Sequence, residues 1–237
     1  MTEKQDYFNF GNLRGKVPFE KNIVYYRRGL DEFSLNITNA CPNDCRFCIR
    51  NTNRGWGVSN LYLTEDPSIE EILNAIDFAT QRIRDCGERL RKVKICGYGE
   101  PLLRFNDLFP IIERIKQNHD NVQVQLTTTG WPYFKYVSSE GERLRDISKA
   151  GLTEVYLSLN TLDRAKYIGL VRPGIDDLRV TAFDEAIKFG VLAKEAGLVV
   201  TVGFIGIAGL EEDKVERFAS EFGFKYKIRR LERWEHT

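Results

Sequence analysis

Cys41, Cys45 and Cys48 lie in one loop with the pattern C-x3-C-x2-C, within the stretch ITNACPNDCRFCIR at residues 37–50. Thiolates are soft donors, and several from a single loop suit iron or zinc. Structural zinc ordinarily takes four protein ligands, and iron–sulfur electron carriers usually take four cysteines. The other two of the five cysteines, Cys86 and Cys96, are isolated along the chain. Two arrangements are therefore open. The loop holds three corners of a [4Fe–4S] cubane and leaves one iron free for a ligand, or it holds zinc completed by Cys86, Cys96, His119 or His236. An open metal position is where metal chemistry happens. The odd cysteine count speaks against a disulfide framework, and the lack of a legible secretory signal in residues 1–20 leads to the expectation of a reducing, cytoplasmic home.

Four further stretches carry residues able to approach a ligand. ICGYGEPLLR, residues 95–104, sets Gly97 and Gly99 where main chain can come close to a ligand, with Pro101 fixing the chain beyond them. QLTTTG (125–130), VYLSLN (155–160) and VGFIGIA (202–208) each end an apolar run on small or polar residues. Taken singly they are ordinary, since threonines suit strands and glycines mark bulges.

The elements that position these stretches alternate. Strands are predicted at Phe33–Ile37, Val93–Cys96, Val122–Thr127, Val155–Asn160, Leu198–Ile207 and around Tyr226–Ile228. Helices are predicted from Asp66 and Pro67, as cap and first turn, to about Arg84, then near Leu108–Gln117, Gly141–Ala150, Leu162–Ile168, Ala182–Ala196 and Glu211–Glu221. Such alternation gives parallel pairing with right-handed crossovers. Six βα units make a partial barrel or an open doubly wound sheet, and in both the ligands gather at the C-terminal strand ends. Every stretch above falls at such an end.

The chain has 237 residues with 35 basic against 34 acidic side chains, so bulk charge advertises no nucleic acid. No run of eighteen apolar residues and no secretory signal are legible, which predicts neither a membrane span nor export.

With the cysteine loop and the glycine stretch in this order, the sequence resembles the radical S-adenosylmethionine (SAM) superfamily. The resemblance implies an α/β fold of partial (β/α)6 TIM-like barrel type, a [4Fe–4S] cluster on Cys41, Cys45 and Cys48, and SAM on the open iron. Electron transfer, from a reductant such as flavodoxin or ferredoxin, would then split the sulfonium to a 5′-deoxyadenosyl radical that abstracts hydrogen from substrate. It further implies that Phe47 packs near the adenine. Gly97, Tyr98, Gly99, Glu100 and Pro101 form the motif for the methionine amino group, with Tyr98 in the place of a usual glycine. Thr128, Ser158, Asn160 and Ile207 would complete the cofactor contacts. Within the superfamily, LNITNACPNDCRFCIRN, LYLTEDPSIEEILNAI, ICGYGEPLLR and SLNTLDRAKYIGLVRPG are most similar to the TatD-associated radical SAM proteins, a resemblance that names a chemistry and no substrate.

Absences narrow the expectation. No cysteine follows Gly97, so a second cluster or a methyl-carrying cysteine near the C-terminus is not expected. The domain reading is an N-terminal elaboration at 1–32 and one core at 33–237. Arg172 is a candidate partner for a carboxylate of the cofactor or substrate, or a helix-end arginine. Lys225, Lys227 and Arg229 share one strand face, suited to an anionic substrate or an acidic polypeptide, or to a charged edge. Trp56 either covers the cofactor or packs nearby, and Tyr7, Phe8, Phe10, Tyr25 and Tyr26 form either a lid over a small metabolite or core. A sensor module holding metal or a cluster without SAM chemistry is the rival to the enzyme.

Overall fold

The computed structural model describes residues 7–9, 22–27, 31–51, 55–56, 59–174, 180–206 and 210–229. Strands β1 (Tyr7–Asn9), β2 (Val24–Arg27) and β3 (Glu32–Leu35) open the chain, and a two-residue pair, β4 (Gly55–Trp56) and β5 (Ser59–Asn60), follows the cysteine loop. Then come α1 (Ile69–Asp85), β6 (Lys92–Ile95), a 3-10 helix (Pro101–Asp107), α2 (Leu108–Asn118), β7 (Gln123–Thr128), α3 (Pro132–Tyr136) and α4 (Glu142–Ala150). Next are β8 (Glu154–Asn160), α5 (Arg164–Val171), α6 (Ala182–Glu195), β9 (Val199–Ile205), α7 (Glu212–Phe222) and β10 (Lys225–Arg229). The main sheet runs β1-β2-β3-β6-β7-β8-β9-β10, with β3 through β10 all parallel. Among the described residues no pairing closes its two edges, so the (β/α)6 layout is an open barrel.

The expected six strands are these six parallel ones. The structure adds β1 and β2, antiparallel on the β3 edge, so part of the N-terminal segment continues the sheet. It also corrects a helix start. Ser68, not Asp66, caps α1: its hydroxyl accepts from the Glu71 amide while the Glu71 carboxylate accepts from the Ser68 amide, a reciprocal box. Pro67 therefore lies outside the helix. Asp66 is occupied with the cysteine loop, as described below.

The sheet's two faces differ because side chains alternate along each strand. Phe33, Leu35, Val93, Ile95, Val124, Leu126, Val155, Leu157, Val200, Val202 and Phe204 are buried under the helices in one core. Ile72, Ile76, Ile83, Ile111, Ile115, Ala186 and Phe189 meet them from α1, α2 and α6. Burying each large apolar side chain stabilises by about 1.5–3 kcal/mol. The opposite face is polar, carrying Lys92, Lys94, Gln125, Glu154, Tyr156 and Ser158. On it, Lys94 pairs with Glu32 at 2.7 Å, Lys92 pairs with Glu154 at 2.7 Å, and Gln125 donates to Glu154 at 2.9 Å. No helix among the described residues is long and apolar enough to cross a membrane.

Candidate active site

The cysteine loop follows β3 directly, at the C-terminal end of the sheet, and is strapped from several sides. Asn36 donates to Leu61 O at 2.6 Å and accepts from the Tyr98 amide at 2.9 Å. Asp66 accepts from the Thr38 hydroxyl at 2.6 Å and the Asn39 amide at 2.9 Å. Asn39 exchanges hydrogen bonds with the Leu63 backbone at 2.6 and 3.1 Å. From the far side, the Asp44 and Arg46 amides donate to Arg172 O and Leu170 O at 3.0 and 2.9 Å, and the Gly174 amide donates to Pro42 O at 2.7 Å. The LVRPG stretch thus buttresses the loop through main chain.

A buried hydrogen-bond chain links this loop to the ends of β6 and β7. Glu100 is buried, and its carboxylate accepts from Leu102 N (3.1 Å), Thr128 Oγ1 (2.7 Å), Thr129 N (2.9 Å) and Thr129 Oγ1 (3.0 Å). Thr129 accepts from Asn43 Nδ2 at 3.2 Å, and Asn43 Oδ1 accepts from the Trp131 indole at 2.9 Å. Asn43 Nδ2 also lies 3.8 Å from Cys41 Sγ. Burial outweighs these four donors and holds the Glu100 carboxyl above its ordinary value.

The two glycines of this stretch are needed where the loops meet. A Cβ on Gly97, which has φ +134°, would stand 2.4–2.7 Å from the Asn36 side chain. A Cβ on Gly99 would stand 2.4 Å from Ala40 O and 2.5 Å from Thr38 O. Their missing side chains let the glycine loop lie flat on the cysteine loop, where the Glu100 amide donates to Ala40 O at 2.8 Å. The close approach is of loop to loop. Tyr98 is buried edge-on to Tyr62 at 5.8 Å, and Pro101 opens the 3-10 helix.

The three loop cysteines are half-buried, and none of the chain's five forms a disulfide. Burial, with Glu100 next in effect, pushes the Cys41 thiol up to about 11. Burial and the neighbouring sulfurs push Cys45 up as well. Arg50 Nε donates to Cys48 Sγ at 3.2 Å and also reaches Asn43 O, so a fixed cation sits against the thiols. Among the described residues, no group of three or more His, Cys, Asp or Glu side chains is placed to hold one metal ion. A cubane does not need that convergence, because each thiolate binds a different iron.

Asn160 ends β8 in the left-handed region at φ 67°, beside a register irregularity between Ser158 and Asn160. Its side chain is fully buried. Nδ2 donates to Ser158 O at 2.8 Å, and Oδ1 has no partner. A buried acceptor without a partner, on left-handed backbone at a strand end, is a departure from ordinary satisfied burial. The Tyr167 hydroxyl, on α5 and completely buried, is likewise unpartnered, and the nearby Cys45 and Glu100 add to burial in raising its pKa.

Of the other expected residues, Thr128 is buried against Glu100, Phe47 is half-buried in the loop, and Ser158 is half-buried. Arg172 takes the helix-end place of its two expected alternatives. It caps α5 in the left-handed region, and its exposed guanidinium pairs with Asp44 at 3.2 Å. Ile207, Phe10 and His236 lie outside the described residues. Sequence reasoning missed Asn43, Arg50, Trp131 and Tyr167. Arg50, two residues after Cys48, had a legible signal, whereas the others reach the loop only through the fold. A separate cavity of about 310 Å³ between the 3-10 helix and α3–α4, lined by Arg104, Tyr136 and Arg143 among others, contains none of the candidate residues.

The radical SAM superfamily model matches residues 35–222. Among curated relatives, the GTP 3′,8-cyclase of Thermodesulfovibrio yellowstonii is 30% identical over 210 residues, 87% of this chain and 57% of its own length. The chain thus spans about half the length of the curated relatives it matches. Solved structures share the fold. A radical SAM methyltransferase from Sphaerobacter thermophilus superposes with TM-score 0.58 at 15% identity, over 89% of this chain and 70% of that one. Streptococcus suis SuiB bound to S-adenosylmethionine gives 0.55 at 17%, over 84% of this chain and 38% of that one.

Proposed function

The chain belongs to the radical SAM superfamily, a superfamily of enzymes whose cofactors are a [4Fe–4S] cluster and S-adenosylmethionine, and we propose that Cys41, Cys45 and Cys48 each bind one iron of a single such cluster. Bound there, the cofactor pair supplies reductive cleavage of the sulfonium and a 5′-deoxyadenosyl radical that abstracts hydrogen from substrate. The chain's own residues build and shape the place. Arg50 offsets thiolate charge and donates to Cys48. Phe47 covers the adenine. The backbone of Gly97–Pro101, flat against the cysteine loop, presents main-chain groups to the methionine moiety. Asn160 Oδ1 accepts from the cofactor, and Ser158 and Thr128 support that end of the sheet. Glu100 acts through Thr129 and Asn43 as a positioning residue.

The observation that carries this reading is the pairing of the Glu100–Thr129–Asn43–Cys41 chain with the orphaned Asn160 acceptor at one end of a parallel sheet. The first ties down a loop of thiols, and the second leaves a buried acceptor at the same sheet end still open to a hydrogen bond.

Several finer points belong to the same proposal. Residues 33–237 act as one core, with 1–32 as an elaboration that adds strands to its edge. The electron donor is a small reductant such as flavodoxin or ferredoxin, and the reaction is cytoplasmic. Within the superfamily we place the chain with the TatD-associated proteins, on the four stretches of likeness in its sequence. The relatives named GTP 3′,8-cyclase share the core over about half their length, and the activity proposed here is that of the core.

Anaerobic reconstitution followed by reduction is the test. About four irons and four sulfides per chain, with 5′-deoxyadenosine and methionine formed from SAM, are expected, and Cys45→Ala should abolish both products. Turnover retained in the Cys45→Ala protein refutes the assignment. One zinc per chain and no SAM cleavage would favour the sensor module.

A further inference from the structure

The polar face of the sheet treats its cations unequally. Lys92 and Lys94 are each answered by a carboxylate, Glu154 and Glu32. Three others on the same face are not. Strand register sets Tyr156, Thr201 and Lys225 side by side, then Ser158, Gly203 and Lys227, then Ile205 and Arg229. Lys225, Lys227 and Arg229 are exposed, while the alternating Tyr226 and Ile228 pack against the core. Among the described residues none of the three has an ion-pair or hydrogen-bond partner; the Arg229 guanidinium lies over the Tyr156 ring, 5.7 Å from its centroid.

The Tyr156 ring reaches this place because residue 203 is glycine. A Cβ there would stand 2.1 Å from the tyrosine hydroxyl and 2.4 Å from Cζ. The ring crosses the bare backbone of β9 and forms a platform for Arg229, and its buried hydroxyl has no partner. Lys225, Lys227, Arg229 and the Tyr156 hydroxyl can all donate, and none has an acceptor among the described residues. Charges that only guard an edge strand need no aromatic platform. Arg229 is also the last residue of β10, which puts it at the same end of the parallel sheet as the cysteine loop.

From this donor surplus we propose that the β8–β9–β10 side of the open barrel binds a substrate carrying two or more anionic groups, phosphate or carboxylate. Alternate residues on a strand are about 6.7 Å apart, so the three cations form a row roughly 13 Å long. Such a row fits a small extended polyanion better than a single charge. Arg229 supplies the planar fork suited to either oxyanion, and the lysines act as point charges. The proposal rests on the radical SAM reading for the meaning of substrate, but anion binding is measurable without turnover.

Titration calorimetry on the reconstituted, SAM-loaded protein uses inorganic tripolyphosphate in one arm and tricarballylate in another. Saturable binding of one of them at physiological salt is expected, and the tighter arm identifies the oxyanion. The variant carrying Lys225→Gln, Lys227→Gln and Arg229→Gln should bind at least roughly thirtyfold more weakly. Lys149→Gln, an exposed charge on α4, should bind like the parent, and melting curves verify that each variant folds. If the parent binds neither anion, if the triple variant binds as tightly, or if Lys149→Gln loses as much, the proposal is wrong. It is equally overturned if an acidic peptide binds while both small anions fail. SAM cleavage by the unmodified protein, measured on the same samples, judges the radical reading separately.

Discussion

Glu100 is the residue where two readings of the glycine motif part. If its carboxylate positions loops, as the four donors around it indicate, Glu100→Gln must damage the protein even without cofactor. Glutamine keeps one acceptor and gains a donor. Whichever way the amide turns, the backbone N–H of Leu102 or of Thr129 then faces N–H. A stranded buried donor costs about 1–3 kcal/mol. Removing a buried charge returns part of this, for a net loss of about 1–2 kcal/mol at neutral pH. For a chain of this size that lowers the melting temperature by roughly 2–8 °C. The pH dependence has a definite sign. A carboxyl held above its ordinary 4.5 in the native state binds its proton more tightly there than in the unfolded chain. The parent's stability therefore falls as pH rises from about 4.5 through the folded value, and this component is missing in the variant. The gap between the two melting curves should narrow as pH rises. Scanning calorimetry of the metal-free proteins from acid to neutral pH measures both effects. If the variant melts with the parent at every pH but loses SAM affinity, the carboxylate contacts the cofactor itself and the positioning argument fails.

Other substitutions probe the same architecture. Gly99→Ala drives a methyl against the Ala40 and Thr38 carbonyls and should cost about 1–3 kcal/mol while lowering iron retention, whereas Gly169→Ala, with open space in α5, should be neutral or stabilising by up to about 1 kcal/mol; equal melting temperatures for the two would contradict the loop-on-loop contact. Asn160→Gly suits the left-handed backbone and should leave stability within about 1 kcal/mol of the parent while SAM binding by equilibrium dialysis weakens; unchanged binding would remove Asn160 from the site.

The parts of this fold that were legible in the sequence are those specified locally. The six parallel strands declare themselves through apolar runs such as Leu198–Ile207, and their observed ends differ by a residue or two. The capping box at Ser68 and Glu71 was equally local, yet the neighbouring Asp66 and Pro67 drew the reading two residues early. Short elements escaped. The 3-10 helix at Pro101–Asp107 and α3 at Pro132–Tyr136 are too brief to show a period, and β1 and β2 are antiparallel strands of three and four residues before the βα rhythm begins. The glycine stretch was found, but its physical purpose depends on what lies opposite. Nothing near Gly99 in sequence says that the carbonyls of residues 38 and 40 press against it. Which of the two readings of Arg172 holds was hidden for the same reason: the helix-end conformation and the exposed pairing with Asp44, 128 residues away, are products of the fold.

The structure gives a common reason why the sequence stretches that resemble the superfamily hang together. LNITN leads directly into the cysteine loop, and LYLTEDP, ICGYGEP and LVRPG, spread along the chain after it, all touch that loop or its stem. Asn36, Thr38 and Asn39 anchor it to residues 61–66, Gly99 and Glu100 close on its far backbone, and Leu170, Arg172 and Gly174 support its middle. Three thiols on a free loop would spread, and assembling a cluster on them would carry the ordering entropy of the loop. Strapped at every turn, the loop meets iron with that ordering already done, so motif strength here measures rigidity of the mount more than contact with the cofactor. The unpaired row on β10 has no part in the mount. It is expected to vary independently of the four stretches, as a surface that selects substrate would, and that separates what this chain shares with its superfamily from what it does with the radical.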